Sequence, residues 1–178
     1  MAGLRGEERA WVRGAQAGSL SDLEALFREH WPRAHRAAYL VVHDAAAAED
    51  IAQEAFLAAI RSLDRFDRRR PFGPWLHRIV VNRAIDWARS RALRAEVGDG
   101  ALAAVSDGER STPGFSPAVV AALAGLAPEQ RAVIVLRHLL EYTPGEVADL
   151  LELPRGTVNS RLRRALDDLA DRLEGERL

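Results

Sequence analysis

Apolar residues recur along most of the chain at the three- and four-residue spacing of amphipathic helices. Ser21-Asp22-Leu23-Glu24 and Thr143-Pro144-Gly145-Glu146 have the pattern of a capping box, and Ser116-Pro117 is a weaker start signal of the same kind. The pattern predicts helices over residues 7–17, 22–42, 45–64, 73–94, 117–125, 128–141, 144–151 and 155–173. Because alanine and leucine far outnumber the β-branched residues, we expect an all-α protein.

Composition changes twice along the chain. Residues 96–117 contain four glycines and two prolines without a sustained period, which is typical of a linker. The formal charge is +4 over residues 1–95, −3 over residues 96–117 and −2 over residues 118–178. We therefore predict two small helical domains, an N-terminal bundle (1–95) and a C-terminal helix-turn-helix domain (118–178), joined by a flexible acidic linker (96–117).

The composition excludes several classes of function. The chain has no cysteine, which excludes disulfides, thiol catalysis and cysteine-ligated metal centres. Its five histidines form no pair at i, i+4, and no HExxH, P-loop, GxSxG or GxGxxG string occurs. We also find neither a secretory signal nor an apolar run long enough to span a bilayer. We expect a cytoplasmic protein without catalytic site, cofactor, metal or membrane insertion.

The last two predicted helices form a helix-turn-helix, because Pro154 begins the second one directly after a tight turn. One side of that second helix is polar and suits base edges and phosphates in a major groove, although an ordinary solvated face has the same pattern. Leu153, in the capping position, offers no side-chain acceptor to the first N–H groups, a role that a DNA phosphate could take. The expected apolar side comprises Val158, Leu162, Ala165, Leu166, Leu169 and Leu173, and the polar side Asn159, Ser160, Arg163, Arg164 and Asp167.

The string GTVNSRLRRAL, preceded by EQR and EVADLL, resembles the promoter-binding C-terminal domain of extracytoplasmic-function (ECF) sigma factors, initiation subunits of bacterial RNA polymerase. Position 159 is often basic in that family and is asparagine here, which affects the preferred promoter sequence. The resemblance implies contact with the −35 element through Arg155, Thr157, Asn159, Ser160, Arg163 and Arg164.

The predicted helix 45–64 also has two distinct sides. On the polar side, one leucine lies beside acidic residues and an amide. This arrangement is compatible with a protein-binding patch, although single exposed leucines are common. The string AEDIAQEAFLAAI resembles the family's helix that docks on the coiled coil of the polymerase β′ subunit. The expected buried stripe is Ala48, Ala52, Ala55, Phe56, Ala59 and Leu63. The resemblance implies binding to the polymerase core (β′ and β subunits) through Asp50, Gln53, Glu54 and Leu57.

Residues 61–94 hold ten arginines and three acids, a local charge of +7 that is typical of a nucleic-acid-binding surface. Arg68-Arg69-Arg70 precede Pro71-Phe72-Gly73-Pro74-Trp75, which places charge beside aromatic rings as single-stranded binding requires. The helix that follows has one polar stripe, Arg78, Asn82, Asp86 and Arg89. Pairing with neighbouring helices is the alternative explanation of that stripe, and we prefer it for Asp86. Trp75 and Trp87 are equally well explained as core residues.

The string FGPWLHRIVVNRAIDWAR is similar to the family segment that recognises the −10 element and holds its melted non-template strand. The loop from Arg65 to Pro74 would then form a pocket for a flipped-out base, with Asn82 below it and Phe72 near its rim. The resemblance also implies that the acidic linker threads the polymerase cleft, whereas a merely solvated chain is the simpler alternative. The implied −10 residues are Arg69, Arg70, Phe72, Trp75, Arg78 and Asn82.

The sequence thus predicts a sigma factor that directs promoter-specific initiation and promoter melting. Its partners would be the RNA polymerase core, promoter DNA and an anti-sigma factor of the kind common in the family. Two alternatives remain open at this point. One is a dimeric helix-turn-helix regulator that acts without polymerase core, and the other is an interaction protein that binds core and has lost promoter recognition.

Overall fold

The structure, a computed structural model, describes residues 2–96 and 115–175, and side chains from residues 6–95 and 115–175. These parts of the chain contain helices and no strand, which confirms the all-α prediction. Most of the predicted linker lies outside the described residues. The helices are α1 (Ala2–Gln16), α2 (Leu20–Val42), α3 (Ala45–Ser62), α4 (Phe72–Glu96), α5 (Pro117–Ala124), α6 (Pro128–Ile134), α7 (Pro144–Leu151) and α8 (Arg155–Gly175). A short 3₁₀ turn, Leu63–Arg65, follows α3, and a π-helical turn, Val135–Leu139, follows α6.

Side-chain caps begin four of these eight helices, and the cap predicted at Ser21 is wrong. The hydroxyl of Thr143 accepts from the Glu146 amide, and the Glu146 carboxylate accepts from the Thr143 amide, as the capping box predicts. At α2, however, Ser19 rather than Ser21 accepts from the Asp22 amide, at 3.3 Å. Gly18, at φ +90°, turns the chain directly before this cap, so Ser21 lies inside the helix.

Two other predicted elements differ from the structure. The first helix begins at Ala2 instead of residue 7. The predicted helix 128–141 is α-helical only to Ile134, after which the amide of Leu140 donates to the carbonyl of Val135 at 3.0 Å and widens the last turn. Glu141 then ends the helix in the left-handed region, at φ +61°. None of the helices in the described ranges is long and apolar enough to cross a membrane.

Helix α2 is the centre of the N-terminal bundle, which we define as α1–α4. It packs against α1, α3 and α4, and its alanines Ala34, Ala37 and Ala38 are fully buried, so the neighbouring helices approach closely. In the C-terminal bundle, α5–α8, helix α8 packs on α5, α6 and α7. Because these three helices are short, α8 buries a narrow stripe, and Leu166, expected on its apolar side, is 39% exposed.

The two bundles pack against each other, with α2 against α5 and α6, and α4 against α6 and α7. At the centre of this contact, the Arg131 guanidinium lies 3.0 Å from His43 Nδ1. Since a guanidinium only donates, Nδ1 accepts and the proton lies on Nε2, which donates to the Val120 carbonyl at 3.0 Å. The imidazole is therefore neutral. Burial and the Arg131 charge lower the pKa of His43 to about 4.

The neutral state of His43 makes stability depend on pH. In the unfolded chain the pKa of histidine is about 6.5, so protons bind the unfolded state preferentially as the pH falls from about 6.5 towards 4. The contribution of His43 to the free energy of unfolding is complete above this window and is lost as the pH falls through it. Two groups of the other bundle face the ring. The Arg131 guanidinium opposes the protonated form, and the Val120 carbonyl favours it.

We expect the wild-type chain to lose about 2 kcal/mol more unfolding free energy than His43→Gln between pH 7 and pH 5. Glutamine keeps a donor and an acceptor without titrating in this range. Urea unfolding of both proteins at the two pH values measures the difference. Identical pH dependence would show that His43 is not held neutral in the folded protein.

Candidate nucleic-acid and protein interfaces

Helix α8 presents an open polar face. Arg155, Asn159 and Arg163 are exposed and spaced four residues apart, so they lie along one line on the helix. Ser160 and Arg164 are exposed beside them, whereas Thr157 is half-buried. The predicted −35 residues are therefore brought together on one helix side, with Thr157 at its inner edge.

The turn before α8 sets the angle of that face. Glu152 ends α7 in the left-handed region, at φ +54°, and the Leu153 amide donates to the Ala148 carbonyl at 3.0 Å. Val158, on the inner side of α8, is 1% exposed. The carbonyl of Pro154 accepts the first helical bond, from Val158, so Pro154 and not Leu153 occupies the capping position. Like leucine, proline carries no acceptor for the first amides.

Helix α3 presents the second candidate surface. Asp50, Gln53, Glu54 and Leu57 are all exposed, and Leu57 reaches 50% exposure. The six residues of the predicted inner stripe are all buried, which confirms the orientation of the helix. The carboxylate of Glu54 pairs with Arg83 of α4 at 2.8 Å, and this ion pair ties the outer face of α3 to α4.

The exposed side chains of Asp50, Gln53 and Leu57 form a ridge along α3, and a depression lies on each side of it. A polar one of about 380 Å³ lies towards α4 and contains Asp50, Glu54 and Asp86 beside Arg83. An apolar groove of about 260 Å³ lies towards α2, with Leu20, Leu23, Phe27, Phe56 and Ile60 among its lining residues.

Sequence reasoning missed this groove. Phe27 and Ile60 are 42% and 39% exposed, although their positions are apolar and in helical register. The expected pairing of Asp86 is also wrong. Asp86 is exposed, lines the polar depression and makes no ion pair among the described residues.

The third candidate surface is a pocket of about 330 Å³ between the end of α3 and the start of α4. The rings of Phe66 and Trp75 form its apolar wall, with centroids 4.5 Å apart and planes inclined by 31°. Its other lining residues are Ser62, Arg65, Asp67 and Arg70. The half-buried Trp75 ring, stacked on Phe66 and with guanidinium groups around it, has the chemistry needed to stack a base and hold its phosphates.

Of the six predicted −10 residues, the structure brings Arg70 and Trp75 into this pocket. The prediction that Phe72 lies near the rim is wrong. The Phe72 side chain is 3% exposed, its ring packs edge-on against Phe66 and Trp75, and its backbone amide donates to Glu8. Its ring fills the junction of the N-terminal bundle, so it cannot stack on a base. Arg69 is outside the pocket, and Asn82 is half-buried two turns further along α4.

Ion pairs neutralise half of the arginines around the pocket and along α4. Five of the ten arginines in residues 61–94 are bound to carboxylates, namely Arg69 to Asp67, Arg78 to Glu152, Arg83 to Glu54, Arg89 to Glu129 and Arg91 to Asp44. The hydrogen bonds from Arg69 lower the pKa of Asp67. Within the described part of the chain, the other five, Arg61, Arg65, Arg68, Arg70 and Arg94, make no ion pair. Of these, Arg65 and Arg70 line the pocket beside the aromatic wall.

Comparisons with known proteins agree with this arrangement. Residues 26–94 match the family model for sigma-70 region 2, and residues 117–169 match that for sigma-70 region 4. The chain is 30% identical to the ECF RNA polymerase sigma factor SigW of Bacillus subtilis over 91% of this chain and 92% of SigW.

Solved structures show the same fold. CnrH, in complex with the cytosolic domain of CnrY, superimposes with a TM-score of 0.71 at 28% identity, covering 95% of this chain and 98% of CnrH. The sigma factor RpoE of Bartonella quintana, in complex with the anti-sigma factor NepR, also gives 0.71, at 22% identity over 87% of this chain and 98% of RpoE.

A regulator that acts without polymerase would need the helix-turn-helix alone, whereas both regions are present here in the family's order. The chain belongs to the ECF family of RNA polymerase sigma factors, which direct promoter-specific initiation of transcription.

Proposed function

We propose that three surfaces divide the work of this sigma factor: the outer face of α3 binds the polymerase core, the Phe66–Trp75 pocket holds a melted −10 base, and the polar face of α8 reads the −35 element. We assign these surfaces to two domains, residues 1–95 and 118–178, with 96–117 as the linker. The chain would act in the cytoplasm, where the polymerase works, and would contribute no catalytic step of its own. The observation that carries the proposal is the pocket, since it combines an aromatic wall with unpaired guanidinium groups.

The case for core binding rests on the shape and charge of α3. Its exposed ridge runs from Asp50 through Gln53 to Leu57, between a polar and an apolar depression. Protein interfaces combine an apolar centre with a polar rim, and the groove beside Ile60 supplies the apolar part. We infer that a helical partner, the β′ coiled coil, lies along α3 with its apolar side chains towards that groove.

The case for strand opening is energetic. Extruding a base from the duplex costs a few kcal/mol, and stacking on an aromatic side chain returns about 1–3 kcal/mol per base. The Phe66–Trp75 wall provides the stacking, while Arg65 and Arg70 compensate phosphate charge. Capture of melted bases would then shift the duplex towards the open state without hydrolysis of a nucleotide.

The case for −35 reading rests on the line of Arg155, Asn159 and Arg163 on α8. An arginine recognises guanine through two hydrogen bonds and an asparagine recognises adenine in the same way. The exposed amides at the start of α8, which lack a side-chain cap, would bind a phosphate of the same half-site. We further propose that an anti-sigma factor controls this chain, because CnrH, its 28% identical structural neighbour, is bound by a separate protein domain.

Two double variants separate core binding from promoter reading. Gln53→Ala with Glu54→Ala should weaken binding to core polymerase, because it removes an amide and the carboxylate from the centre of the ridge. Arg163→Ala with Arg164→Ala should leave core binding unchanged and lower initiation at −35-dependent promoters, by about tenfold or more, since each lost base contact costs about 1–3 kcal/mol. Fluorescence anisotropy with labelled core and run-off transcription measure the two effects.

Each double variant serves as the control for the other. Equal defects in core binding and in initiation for both pairs would contradict the division of roles. Normal promoter-directed transcription by both pairs would contradict the assignment of the surfaces altogether.

A substitution that fills the pocket tests whether the pocket holds a melted base. Ser62 is exposed at the pocket wall and its side chain caps no helix, so Ser62→Phe should fill part of the space without disturbing the fold. We expect it to reduce permanganate reactivity of the melted −10 thymines by about tenfold, in line with the loss of one stacked base. Ser62→Ala, which leaves the space open, is the matched control. Open complexes of normal stability with Ser62→Phe would exclude this pocket as the base site.

A further inference from the structure

Helix α1 contacts the backbone at both ends of the loop that forms the candidate base pocket. The side-chain amide of Gln16 donates to the carbonyls of Leu63 at 2.8 Å and of Phe66 at 3.0 Å, where the 3₁₀ turn after α3 leads into the loop. The carboxylate of Glu8 accepts from the backbone amide of Phe72 at 2.8 Å, where α4 begins. Two side chains of one helix thus hold both ends of the segment between α3 and α4.

We propose that Gln16 and Glu8 are positioning residues for −10 recognition, which set the shape of the Phe66–Trp75 pocket without lining it themselves. The proposal rests on the proposed function, since it presupposes that this pocket holds a melted −10 base. It extends the promoter-opening machinery to α1, which precedes residues 26–94, the part of the chain that matches sigma-70 region 2. We call the contacts of Gln16 and Glu8 with the loop backbone the α1 brace.

The Gln16 contact uses the whole donor capacity of the side chain. A side-chain amide has two N–H donors, and here it donates to two different carbonyls. Leu63 and Phe66 are both buried, so a carbonyl left without Gln16 would lose a bond that water does not easily replace. The Leu63 carbonyl also accepts from the Phe66 amide, which closes the turn. Gln16 therefore fixes the backbone from which the Phe66 ring extends into the pocket wall.

The Glu8 contact fixes the first turn of α4. The first amides of a helix have no partner within it, and the helix dipole favours a carboxylate beside them. The second carboxylate oxygen of Glu8 lies 3.1 Å from Nε2 of His30, so this side chain links α1 to α2 as well as to α4. His30 packs so closely on this turn that a Cβ atom at Gly73 would lie 3.1 Å from its ring. The start of α4 is thus held from two sides, and Trp75 lies in the same turn.

Stacking is the contact of the pocket that depends most on exact placement. A radial gap of about 0.5–1 Å already removes a quarter to a half of the van der Waals attraction between two surfaces. The attraction between a guanidinium and a phosphate decreases only with the first power of distance, and the long side chains of Arg65 and Arg70 adapt to a small shift. Loss of the α1 brace should therefore weaken base capture more than phosphate binding. The exposed face of α3 takes no part in the brace, so core binding should not change.

Binding of holoenzyme to a fluorescent single-stranded oligonucleotide with the non-template −10 sequence tests the brace. An abasic site is placed at each −10 position in turn, and the dissociation constant of each abasic oligonucleotide is divided by that of the intact one. We expect wild-type holoenzyme to show a ratio of about ten at one position, in line with the loss of one stacked base. Gln16→Met and Glu8→Met keep the side-chain length and remove the donors or the acceptor. They should reduce this ratio to about three or less, as coupled contacts do.

Three further variants serve as controls. Glu8→Gln keeps a carbonyl oxygen that accepts from the Phe72 amide, so it should retain the wild-type ratio. Glu7→Met makes the same kind of change at an exposed neighbouring position and should also retain it. Gln16→Asn keeps the amide but withdraws it by one methylene group, so the ratio should fall. This milder variant repeats the test if Gln16→Met assembles poorly with core polymerase.

The ratio separates a positioning role from a merely structural one. Weaker binding of the intact and abasic oligonucleotides alike, with the wild-type ratio kept, would overturn the proposal. A ratio that falls as far with Glu7→Met as with Glu8→Met would also overturn it. Failure of the proposed function is distinguishable, because wild-type holoenzyme would then lose no affinity at any abasic position, and the proposal would fall with it.

Discussion

Helix α4 has no exposed residue between positions 72 and 85, and this burial governs how the two bundles pack together. Leu76, Val80 and Ala84 are fully buried in the N-terminal bundle. A helix that buries so much of its surface must find partners for its few polar side chains, because an unpaired polar group removed from water is costly. The C-terminal bundle supplies Tyr142, Glu129 and Glu152 to that polar stripe. The same helix begins at the wall of the candidate base pocket, so one element connects the core, the interface and the DNA surface.

The distribution of ion pairs separates structural arginines from available ones. A near-neutral chain with a local excess of arginine would bind the phosphate backbone without selectivity if all of those charges were free. Here carboxylates from α3, α6 and the helix-turn-helix neutralise the arginines along α4. Two of the guanidinium groups that remain, those of Arg65 and Arg70, lie at the loop before α4, beside Phe66 and Trp75. Part of the unpaired positive charge thus lies at the place where an unpaired strand would be held.

Patterns formed by nearby residues predicted several features of the helices correctly. The Thr143–Glu146 box, the buried stripe of α3 and the exposed face of α8 each depend on residues within a few turns of one another. The Ser21 box is a local signal that failed, because Ser19 caps α2 instead. The other failures arose where distant packing decides the outcome. Phe72 is buried because α1 and α2 close over it, and Leu166 is exposed because the three helices packed on α8 are short. The polar partners of α4 belong to the other bundle, and no periodicity encodes a contact between residues 78 and 152.

We propose that this chain places the polymerase on promoters by holding both elements. Run-off transcription with purified core enzyme tests it most directly, on templates that carry both elements, either one alone, or neither. We expect a transcript from one defined start site only when the chain is added, greatest with both elements and strongly reduced when either is replaced. The same transcripts with and without the chain, or initiation that ignores the −10 sequence, would contradict it.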